Sequence, residues 1–563
     1  MLVGIDLGTT NSLVAVWREG KAQLVPNALG ELLTPSVVGL DDQGRIIVGE
    51  VARERLQTHP HLTCALFKRH MGSTWQGRLG DRVFRAEELS ALVLRSLRED
   101  VERAFGEPVT EAVISVPAYF SDAQRKATRV AGELAGLKVE RLINEPTAAA
   151  LAYGLDQQSA TTFLDFDLGG GTFDVSILEL FDGVMEVRAS AGDNFLGGED
   201  FDDALVGHVL AESPELATWL QESGEGVQRL RREAQRVRHA LGQHDNATFR
   251  FVMGQREGSL LIDQSSFQRI AEPLVKRLRA PLDRALHDAR LKVSDLEEIV
   301  LVGGATRMPL VRKLVASLFG RIPLMHINPD EVVAKGAAVQ VALKQRDAAL
   351  EEVVLTDVCP YTLGIETSLQ YGRQIESGHY LPIIERNSVV PVSRTREVVT
   401  LHDQQTQVRV QIFQGESRLV KDNILLGELR VDVPPRKAGE VSLTVRFTYD
   451  INGLLEAEVT TGITGETRRL VIENNPGVLN KEEVAQRLTS LQALKVHPRE
   501  RQVNSLLVAR LDRLFQESLS DQRTYVGELA AHFQHALDSQ DEQRIREAYT
   551  EIVRHLDELE RRW

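Results

Sequence analysis

The sequence predicts a multidomain protein, in which a duplicated α/β domain is followed by a smaller antiparallel β domain and a helical segment. First, 563 residues are too many for one hydrophobic core and indicate about three or four domains. Second, "VGIDLGTTNSLVAV" at residues 3–16 and "LDFDLGGGTFDVSIL" at residues 164–178 share an apolar run, an aspartate, a turn of small residues and a second apolar run. Third, the apolar pattern changes to strict alternation and then to helical spacing towards the C-terminus. Asp6 and Asp167 are therefore expected to hold equivalent places in two copies of one fold.

The α/β domain is predicted to cover residues 1–351. Short apolar runs that are typical of buried strands alternate with helical patterns: "EAVISVPAYF" precedes "DAQRKATRVAGELAG", and "EEIVLVGG" precedes "MPLVRKLVASLF". The apolar stretch "EEVVLTDV" then lies between two regions of different composition. We therefore expect residues 352–357 to form an interdomain linker, although an ordinary strand would have the same pattern.

An antiparallel β domain is predicted over residues 358–473. Asn452-Gly453 separates two alternating segments and favours a hairpin turn, because both residues tolerate positive φ. Alternation in "EVSLTVRFTYD" places four apolar residues on one face of a strand: Val441, Leu443, Val445 and Phe447.

The helical segment is predicted over residues 474–563, where about three helices should pack as a short bundle. Asn480 with Glu483, and Ser539 with Glu542, have the spacing of a capping box at a helix start. Near the end of the chain, apolar residues recur at helical intervals: Ile545, Tyr549, Ile552, Leu556 and Leu559.

Charge and cysteine content argue against several classes of protein. The chain has 66 basic and 81 acidic residues, a net charge of −15, and no long basic run, so binding to nucleic acid or to an anionic membrane is not expected. Cys64 and Cys359 lie far apart and outside any CxxC motif, which argues against a disulfide framework or a zinc site. Asp6 interrupts the start of the chain before a signal-peptide core can form, and no later apolar stretch is long enough to span a membrane. A cytoplasmic protein is expected.

The two glycine turns are suited to nucleotide phosphates. Small residues let main-chain N–H groups approach phosphate oxygens closely, and the threonines add hydroxyl groups, in Gly8-Thr9-Thr10 and in Gly169-Gly170-Gly171-Thr172. Asp6 and Asp167, one before each turn, suit a hydrated Mg²⁺ beside phosphate. Either turn alone is better interpreted as a plain β-hairpin, but the presence of both favours a phosphate site. No GxxxxGK[ST] motif occurs, so the site would differ from a Walker-type loop.

Three further positions are ambiguous when taken one at a time. Gly303-Gly304 follows a buried strand and precedes a helix, which is where ligands collect in α/β sheets; with the two hairpins it is the expected seat of the adenosine end. Glu145 begins an alanine-rich helix that is equally well interpreted as a capped core helix. Lys68 on its own would be an ordinary surface charge.

A series of motifs resembles a known family, the seventy-kilodalton heat-shock chaperones of the DnaK type. The resemblance runs over nearly the whole chain, through "GIDLGTTNS", "VISVPAYFSDAQRKAT", "LINEPTAAALAYGL", "DLGGGTFDVSIL", "LGGEDFD", "VGGATRMP", "NPDEVVAKGAA", "LGIET" and "QGE". Together these motifs are very specific. Among bacterial members the chain is most similar to the HscC group.

The resemblance implies an actin-like duplicated ATPase domain whose phosphate loops are the two glycine turns, then a β-sandwich that binds peptide, then a short helical lid. It implies catalytic roles for Lys68, Glu145, Asp167, Thr172 and Asp174, with Lys68 orienting the attacking water or the γ-phosphate. It implies Mg²⁺ bound through water by Asp6 and Asp167, with K⁺ as a further candidate cofactor. It assigns contacts to ATP or ADP to Gly8, Thr9, Thr10, Asn11, Gly169, Gly170, Gly171, Gly197, Gly198, Gln235, Arg238, Gly303, Gly304, Arg307 and Asp330.

The chain departs from the family pattern at three ribose-side positions and in the peptide site. Gln235, Arg238 and Gly242 replace the usual Glu, Lys and Ser, so ATP binding is expected and its strength is left open. In the peptide site, Ser368 takes the place of an apolar arch residue, whereas Leu401 and Val408 match residues of the arch and pocket.

The function implied is an ATP-driven molecular chaperone that binds extended apolar segments of client proteins and is stimulated by a J-domain cochaperone; whether it uses a nucleotide exchange factor is left open. Interdomain coupling is assigned to Pro117, Arg125, Arg141 and Asn144 on the ATPase side and to Val353, Val354, Leu355 and Asp357 in the linker. Two alternatives are a nucleotide-regulated binding protein with little turnover and a sugar kinase of the same fold.

Overall fold

The computed structural model describes residues 1–41, 43–154, 161–181, 184–223, 226–253, 256–323, 328–345, 354–371, 374–450, 453, 455–472, 504, 507–508, 510–511, 514–515 and 520–560. The chain divides into two compact units: Met1–Tyr361 with Arg386–Val390, and Thr362–Glu385 with Pro391–Trp563. Among the residues described, no helix is long and apolar enough to cross a membrane.

The first unit begins with a mixed sheet and its helices. Its strands up to residue 144 are β1 (Leu2–Asp6), β2 (Asn11–Arg18), β3 (Lys21–Leu24), β4 (Thr34–Pro35), β5 (Val37–Leu40), β6 (Ile46–Val48), β7 (Thr63–Ala65), β8 (Gln76–Leu79), β9 (Arg82–Arg85), β10 (Glu111–Val116) and β11 (Lys138–Asn144). The helices in this part are α1 (Glu50–Thr58), α2 (Ala86–Phe105), α3 (Asp122–Leu134) and α4 (Glu145–Gly154).

The rest of the first unit contains a second mixed sheet. The strands of this second sheet are β12 (Thr161–Leu168), β13 (Phe173–Phe181), β14 (Val184–Asp193), β17 (Glu298–Val302), β18 (Val354–Val358) and, from the separate segment, β21 (Val389–Val390). A separate two-stranded sheet contains β15 (Asn246–Met253) and β16 (Arg256–Asp263). Its helices are α5 (Gly198–Glu212), α6 (Pro214–Ser223), α7 (Val227–Ala240), α8 (Gln264–Ala289), α9 (Pro309–Phe319) and α10 (Val332–Lys344).

The two sheets repeat one arrangement, which confirms the predicted duplication. In the first, β1 pairs antiparallel with β2 and parallel with β10. In the second, β12 pairs antiparallel with β13 and parallel with β17. Asp6 ends β1 and Asp167 lies near the end of β12, so the two aspartates do occupy equivalent places.

Small residues allow the helices to lie close to these sheets. The alanines of α10 and Ala148–Ala150 of α4 are buried, and a Cβ on Gly336 would overlap the main chain of Ala148. A Cβ on Gly4 in β1 would likewise overlap the main chain of α10 at Ala337 and Ala338. This close packing holds the strand that carries Asp6 against α10, and α10 against the helix that begins at Glu145.

The segment expected to be a linker is partly a strand of the first unit. Within it, residues 352 and 353 lie outside the described residues. β18 pairs parallel with β14, from Val184↔Val354 to Glu186↔Thr356, and antiparallel with β21 at Asp357↔Val390. The division between the two units follows Tyr361.

The second unit contains two four-stranded antiparallel sheets. Their strands are β19 (Leu363–Tyr371), β20 (Gln374–Ile384), β22 (Val392–Val399), β23 (Gln407–Gln414), β24 (Ile424–Asp432), β25 (Ser442–Tyr449), β26 (Leu455–Thr461) and β27 (Thr467–Ile472). The sheet orders are β20-β19-β23-β24 and β22-β25-β26-β27. The predicted hairpin is confirmed by the β25–β26 pairing and by a φ of 82° at Gly453, whereas Asn452 lies outside the described residues. The four apolar residues predicted to share a face, from Val441 to Phe447, are all fully buried.

Two long helices end the chain, α11 (Ser520–Ser539) and α12 (Glu542–Glu560). Of the predicted apolar stripe, Ile545, Ile552 and Leu556 are buried in the core of the helical segment, and Tyr549 and Leu559 pack against it. The capping box predicted for Ser539 and Glu542 is wrong. Asp541 caps the helix instead, because its carboxylate accepts the main-chain N–H groups of Gln543 and Arg544. The pair Asn480 and Glu483 lies outside the described residues.

Candidate functional site

The two glycine turns face each other in the first unit. Each joins two antiparallel strands, as predicted. A Cβ on Gly170 would lie 2.7 Å from Thr10 Oγ1, and one on Gly171 would lie 2.6 Å from Thr9 Cγ2. No side chain other than hydrogen fits at these two positions without displacing the opposite turn, so the glycines are required by the close approach.

A cleft lies over these turns, with roughly 550 Å³ of empty space that is partly open to solvent. The predicted residues that line it are Asp6, Gly8, Thr9, Thr10, Asn11, Lys68, Glu145, Asp167, Gly169, Gly170, Thr172, Gly303, Gly304 and Asp330. Main-chain N–H groups, hydroxyls, carboxylates and one ammonium group thus meet in one space. This set of groups is suited to a polyphosphate and its counter-ion.

Lys68 is a buried residue of this cleft and not a surface charge. It lies in a 3₁₀ turn, Phe67–His70, that follows Leu66 in the left-handed conformation (φ 60°). Its Nζ atom lies 2.8 Å from Glu145 Oε1, and the two side chains are 3% and 9% exposed. A buried ammonium group is retained only with a charged partner, so Glu145 fixes the position of Lys68.

Burial, together with neighbouring negative charge, raises the pKa of the aspartates in and behind the cleft. Burial, and then the charge of Glu145, raises the pKa of Asp6 to about 7. The same two causes, in the same order, raise the pKa of Asp174 to about 8. Burial raises the pKa of Asp167 and of Asp165 well above the usual range for aspartate. Such a cluster favours the arrival of a cation, which would stabilise the ionised form of each group.

The donor set fits Mg²⁺ held through water better than a metal held by protein alone. In the described part of the chain, no group of three or more His, Cys, Asp or Glu side chains is arranged to hold a metal ion. Asp6 and Asp167 nevertheless both line the cleft beside the phosphate turns. Mg²⁺ prefers one or two carboxylates together with waters and phosphate oxygens, which is what this geometry offers.

Seven predicted site residues do not contribute to the cleft lining in the described structure: Gly171, Asp174, Gly197, Gly198, Gln235, Arg238 and Arg307. Arg238 is buried and makes a two-bond ion pair with Asp202, Nε–Oδ1 2.6 Å and Nη2–Oδ2 3.0 Å. Arg307 donates to Asp330 at 2.7 Å, so it lies next to a lining residue. Gly197 packs on the second turn, where a Cβ would meet the main chain of Gly170.

Sequence reasoning missed several residues that shape the site. Ser115 donates to Asp6 Oδ1 at 2.7 Å, and Ser36 donates to the carbonyl of Gly8 at 2.7 Å. Asp165 is 1% exposed, and neither of its carboxylate oxygens has a hydrogen-bond partner within the described structure. Its place in "LDFDLGGG" was the only signal, because an aspartate facing inward from a buried strand breaks the apolar pattern.

The coupling residues meet in a hydrogen-bonded chain within the first unit. Asn144 Nδ2 donates to Asp357 Oδ2 at 2.6 Å, and Arg125 Nη2 donates to Asn144 Oδ1 at 2.7 Å. Arg125 also donates to the carbonyls of Ala118 at 2.9 Å and Phe120 at 3.1 Å.

The other described residues predicted to couple the domains lie next to these hydrogen-bonded side chains. The carbonyl of Pro117 accepts the N–H of Phe120. Burial lowers the pKa of Arg141, and the charge of Asp357 opposes that change. Val354 and Leu355 belong to β18, while Val353 lies outside the described residues.

The predicted peptide-contact residues lie in the second unit. Val408 is a half-buried residue of β23, opposite Val431 of β24. Leu401 lies half-buried between β22 and β23, and its N–H donates to Gln405 Oε1 at 3.0 Å. The two residues are therefore only partly covered by their own domain.

Comparison with known proteins identifies the family. The family model described as Hsp70 protein matches residues 2–79 and 76–562. The chain is 41% identical to the chaperone protein DnaK of Thermosipho africanus over 483 residues, which cover 84% of this chain and 79% of the relative. It is 40% identical to the chaperone protein DnaK of Thermosipho melanesiensis over 483 residues, which cover 84% of this chain and 80% of the relative. The similarity to the HscC group stays a prediction. A family match over nearly the whole chain, around a cleft suited to nucleotide phosphates, shows that the chain belongs to the Hsp70 family of ATP-dependent molecular chaperones.

Proposed function

We propose that the chain hydrolyses ATP between its two glycine turns and uses the ATP and ADP states to release and hold extended apolar segments of client proteins. The observation that carries the proposal is the direct approach of Gly170 to Thr10 beside the buried Lys68–Glu145 pair. Two turns in contact enclose a phosphate chain from both sides, and a fixed ammonium group next to them faces its end. Positioned charge is most of what phosphoryl transfer to water requires.

Each group has a definite task in this scheme. Main-chain N–H groups and hydroxyls of Gly8–Asn11 and Gly169–Thr172 hold phosphate oxygens. Lys68 orients the attacking water or the γ-phosphate, with Glu145 holding Lys68 in place. Asp174, which lies opposite Asp167 in the sheet, is the last carboxylate of this catalytic set. When bound, Mg²⁺ neutralises charge on the phosphate oxygens, and Asp6 and Asp167 would hold its waters. K⁺ is proposed as a further counter-ion.

The adenosine end is assigned to Gly303, Gly304, Arg307 and Asp330. The Arg307–Asp330 pair fixes the edge of the cleft there. Gln235 is proposed as a neighbour of the ribose, and Gly197 and Gly198 are proposed as further nucleotide contacts. Arg238 is already paired with Asp202, so it is expected to contribute less to nucleotide affinity than a free cation would.

The second unit is proposed to be a peptide-binding β-sandwich, with Leu401 and Val408 contacting the client and the helical segment acting as its lid. We propose that a J-domain cochaperone stimulates ATP hydrolysis and that the protein acts in the cytoplasm. Whether it uses a nucleotide exchange factor is left open. The same proposal gives the duplicated unit an actin-like fold. It also places the domain boundaries at 1–351, 352–357, 358–473 and 474–563.

The test is a peptide array probed with the protein in ADP and in ATP, together with release of inorganic phosphate. We expect apolar peptides to bind more tightly in ADP, and phosphate to be released with Mg-ATP. Nucleotide-sensitive peptide binding without phosphate release would instead favour a nucleotide-regulated binding protein. Phosphate transfer to a sugar, without peptide binding, would favour a kinase.

A further inference from the structure

The loop between β10 and α3 holds one of the site carboxylates through its main chain. The N–H of Tyr119 in this loop donates to Asp174 Oδ1 at 3.2 Å. The carbonyl of Tyr119 accepts two hydrogen bonds, from the hydroxyl of Tyr361 at 2.6 Å and from Asn194 Nδ2 at 2.9 Å. Both polar groups of this residue's main chain are therefore engaged, one towards Asp174 and the other towards Tyr361.

Tyr361 contacts Tyr119 by its ring as well as by its hydroxyl. The ring centroids are 4.6 Å apart and the planes are inclined by 42°. Burial, and then the neighbouring Tyr119 and Asp174, raise the pKa of the Tyr361 phenol, so its hydroxyl remains protonated and able to donate. An aromatic pair with an added short hydrogen bond fixes the distance and the orientation of Tyr119 together.

Little free space surrounds the contact between Tyr119 and Asp174. Gly192 lies opposite Asp174 in the sheet. A Cβ at Gly192 would lie 2.6 Å from Asp174 Oδ1 and 3.0 Å from Tyr119 Cβ. The absence of a side chain there allows Tyr119 and Asp174 to meet, and a shift of Tyr119 would be transmitted to the carboxylate because no gap separates them.

Tyr361 is also the last residue of the first unit before the chain enters the second. The next residue, Thr362, is fastened within the second unit: its N–H and hydroxyl donate to Glu416, at 2.8 Å and 3.0 Å. Consecutive residues thus have their contacts in different units. A change in the second unit that moves Thr362 acts on Tyr361 through one peptide bond.

We propose that Tyr361 is a positioning residue for ATP hydrolysis. It holds Asp174 in place through the Tyr119 main chain and so links the state of the β domain to the proposed catalytic residues. The inference rests on the proposed function. The chain through Asp357, Asn144 and Arg125 reaches the same loop at Ala118 and Phe120, on either side of Tyr119, whereas Tyr361 holds Tyr119 itself.

The test compares Tyr361→Leu and Tyr361→Phe with the wild-type full chain. Phe keeps the ring contact and loses only the hydrogen bond to Tyr119, whereas Leu loses both. Arg284→Ala is the matched control, because the exposed Arg284 donates to the Tyr119 hydroxyl at 3.1 Å and leaves its main chain alone. Measured quantities are kcat and KM for ATP, the stimulation of kcat by a bound peptide, and the hydrogen exchange rate of the Tyr119 amide.

We expect Tyr361→Leu to lower kcat about threefold to tenfold, the effect of losing about one net hydrogen bond, with KM within about twofold of wild type. Peptide stimulation should fall, Tyr361→Phe should lie between Leu and wild type, and the Tyr119 amide should exchange faster. A wild-type kcat and amide exchange rate in Tyr361→Leu, or the same losses in Arg284→Ala, would overturn the inference. Hydrogen exchange does not require ATP turnover, so it tests the contact of Tyr361 with Tyr119 independently of hydrolysis. Absence of phosphate release from the wild-type protein would refute the proposed function and would leave this test of the contact intact.

Discussion

The Nζ atom of Lys68 lies 2.8 Å from Oε1 of Glu145, and both side chains are almost completely buried, although the residues are 77 positions apart in the sequence. The pair forms because a 3₁₀ turn brings Lys68 to the first residue of α4. An ammonium group held in this way loses little conformational freedom when a phosphate chain arrives. We therefore expect Lys68 to act on the transition state more than on the bound nucleotide.

Replacing Lys68 by Ala should lower the single-turnover rate of ATP hydrolysis roughly 100-fold or more, as loss of one preorganised charge commonly does. Nucleotide affinity should change much less, because the phosphate turns still hold ATP. Rapid-quench measurement of ADP formation, with nucleotide affinity from a fluorescent analogue, checks both. The control is Lys276→Ala, which removes a Lys–Glu pair at 2.8 Å whose side chains are 74% and 61% exposed. A near-normal hydrolysis rate in Lys68→Ala would contradict the role.

The roles of Asp6 and Asp167 predict a metal-dependent defect. Asp6→Asn and Asp167→Asn should each weaken Mg-ATP binding by about tenfold to 100-fold, since outer-sphere ligands of a metal usually contribute that much. Binding of ATP in EDTA should change little. Isothermal titration with and without Mg²⁺ separates the two cases, and unchanged Mg-ATP affinity in both variants would show that these carboxylates do not serve the metal.

The raised pKa of Asp174, about 8, predicts a pH effect on stability. The folded protein binds this proton more tightly than the unfolded chain, whose aspartates titrate near pH 4. The free energy of unfolding of the nucleotide-free, Mg-free protein should therefore be highest below about pH 4 for this group and fall as pH rises from about 4 to about 8. Calorimetry across this range should show a shallower fall in Asp174→Asn than in wild type. An identical slope in the two proteins would contradict the prediction.

Asp165 should cost stability, because both of its buried carboxylate oxygens have no hydrogen-bond partner in the described structure. Asp165→Asn replaces the titratable carboxyl group by a neutral amide of similar size, and Asp165→Val also removes the polar atoms next to Val300 of β17. Both variants should unfold at a higher temperature than wild type when nucleotide is absent, with Val the more stable. Lower unfolding temperatures for both would mean that the carboxylate has a stabilising partner.

The hydrogen bond from Asn144 to Asp357 predicts a coupling defect that can be rescued. Asn144→Asp and Asp357→Asn, made singly, should each slow ATP-triggered peptide release, because one places two carboxylates and the other two amides face to face. The double exchange restores one amide and one carboxylate and should recover part of the wild-type release rate. Equal rates in all four proteins would show that this contact carries no signal.

Local patterns predicted the hairpins, the duplication and the β domain, because alternation and turn chemistry are set by residues near one another in the sequence. The positions of Asp6 and Asp167 followed from the same local pattern. The cap at Asp541 was missed because Ser539 has the same chemistry two residues earlier, and only the main-chain path decides between them.

Contacts that depend on tertiary packing could not be predicted from residue patterns. Taken alone in the sequence, Lys68 was expected to be a surface residue. Its burial depends on Glu145, which the fold brings beside it. Two partners of the Tyr119 main chain, Asp174 and Tyr361, come from distant parts of the chain. The pairing of Arg238 with Asp202 likewise shows that a residue matched by motif can be engaged elsewhere.

The most direct test of the account is the dissociation rate of a labelled apolar peptide after rapid mixing with ATP. Wild-type protein loaded with peptide in ADP should release it much faster on mixing with Mg-ATP than with Mg-ADP. Lys68→Ala should still show this acceleration, because ATP binding and not hydrolysis opens the peptide domain in this scheme. Release at one rate in ATP and ADP would contradict the claim that ATP bound between the two glycine turns drives the chaperone cycle.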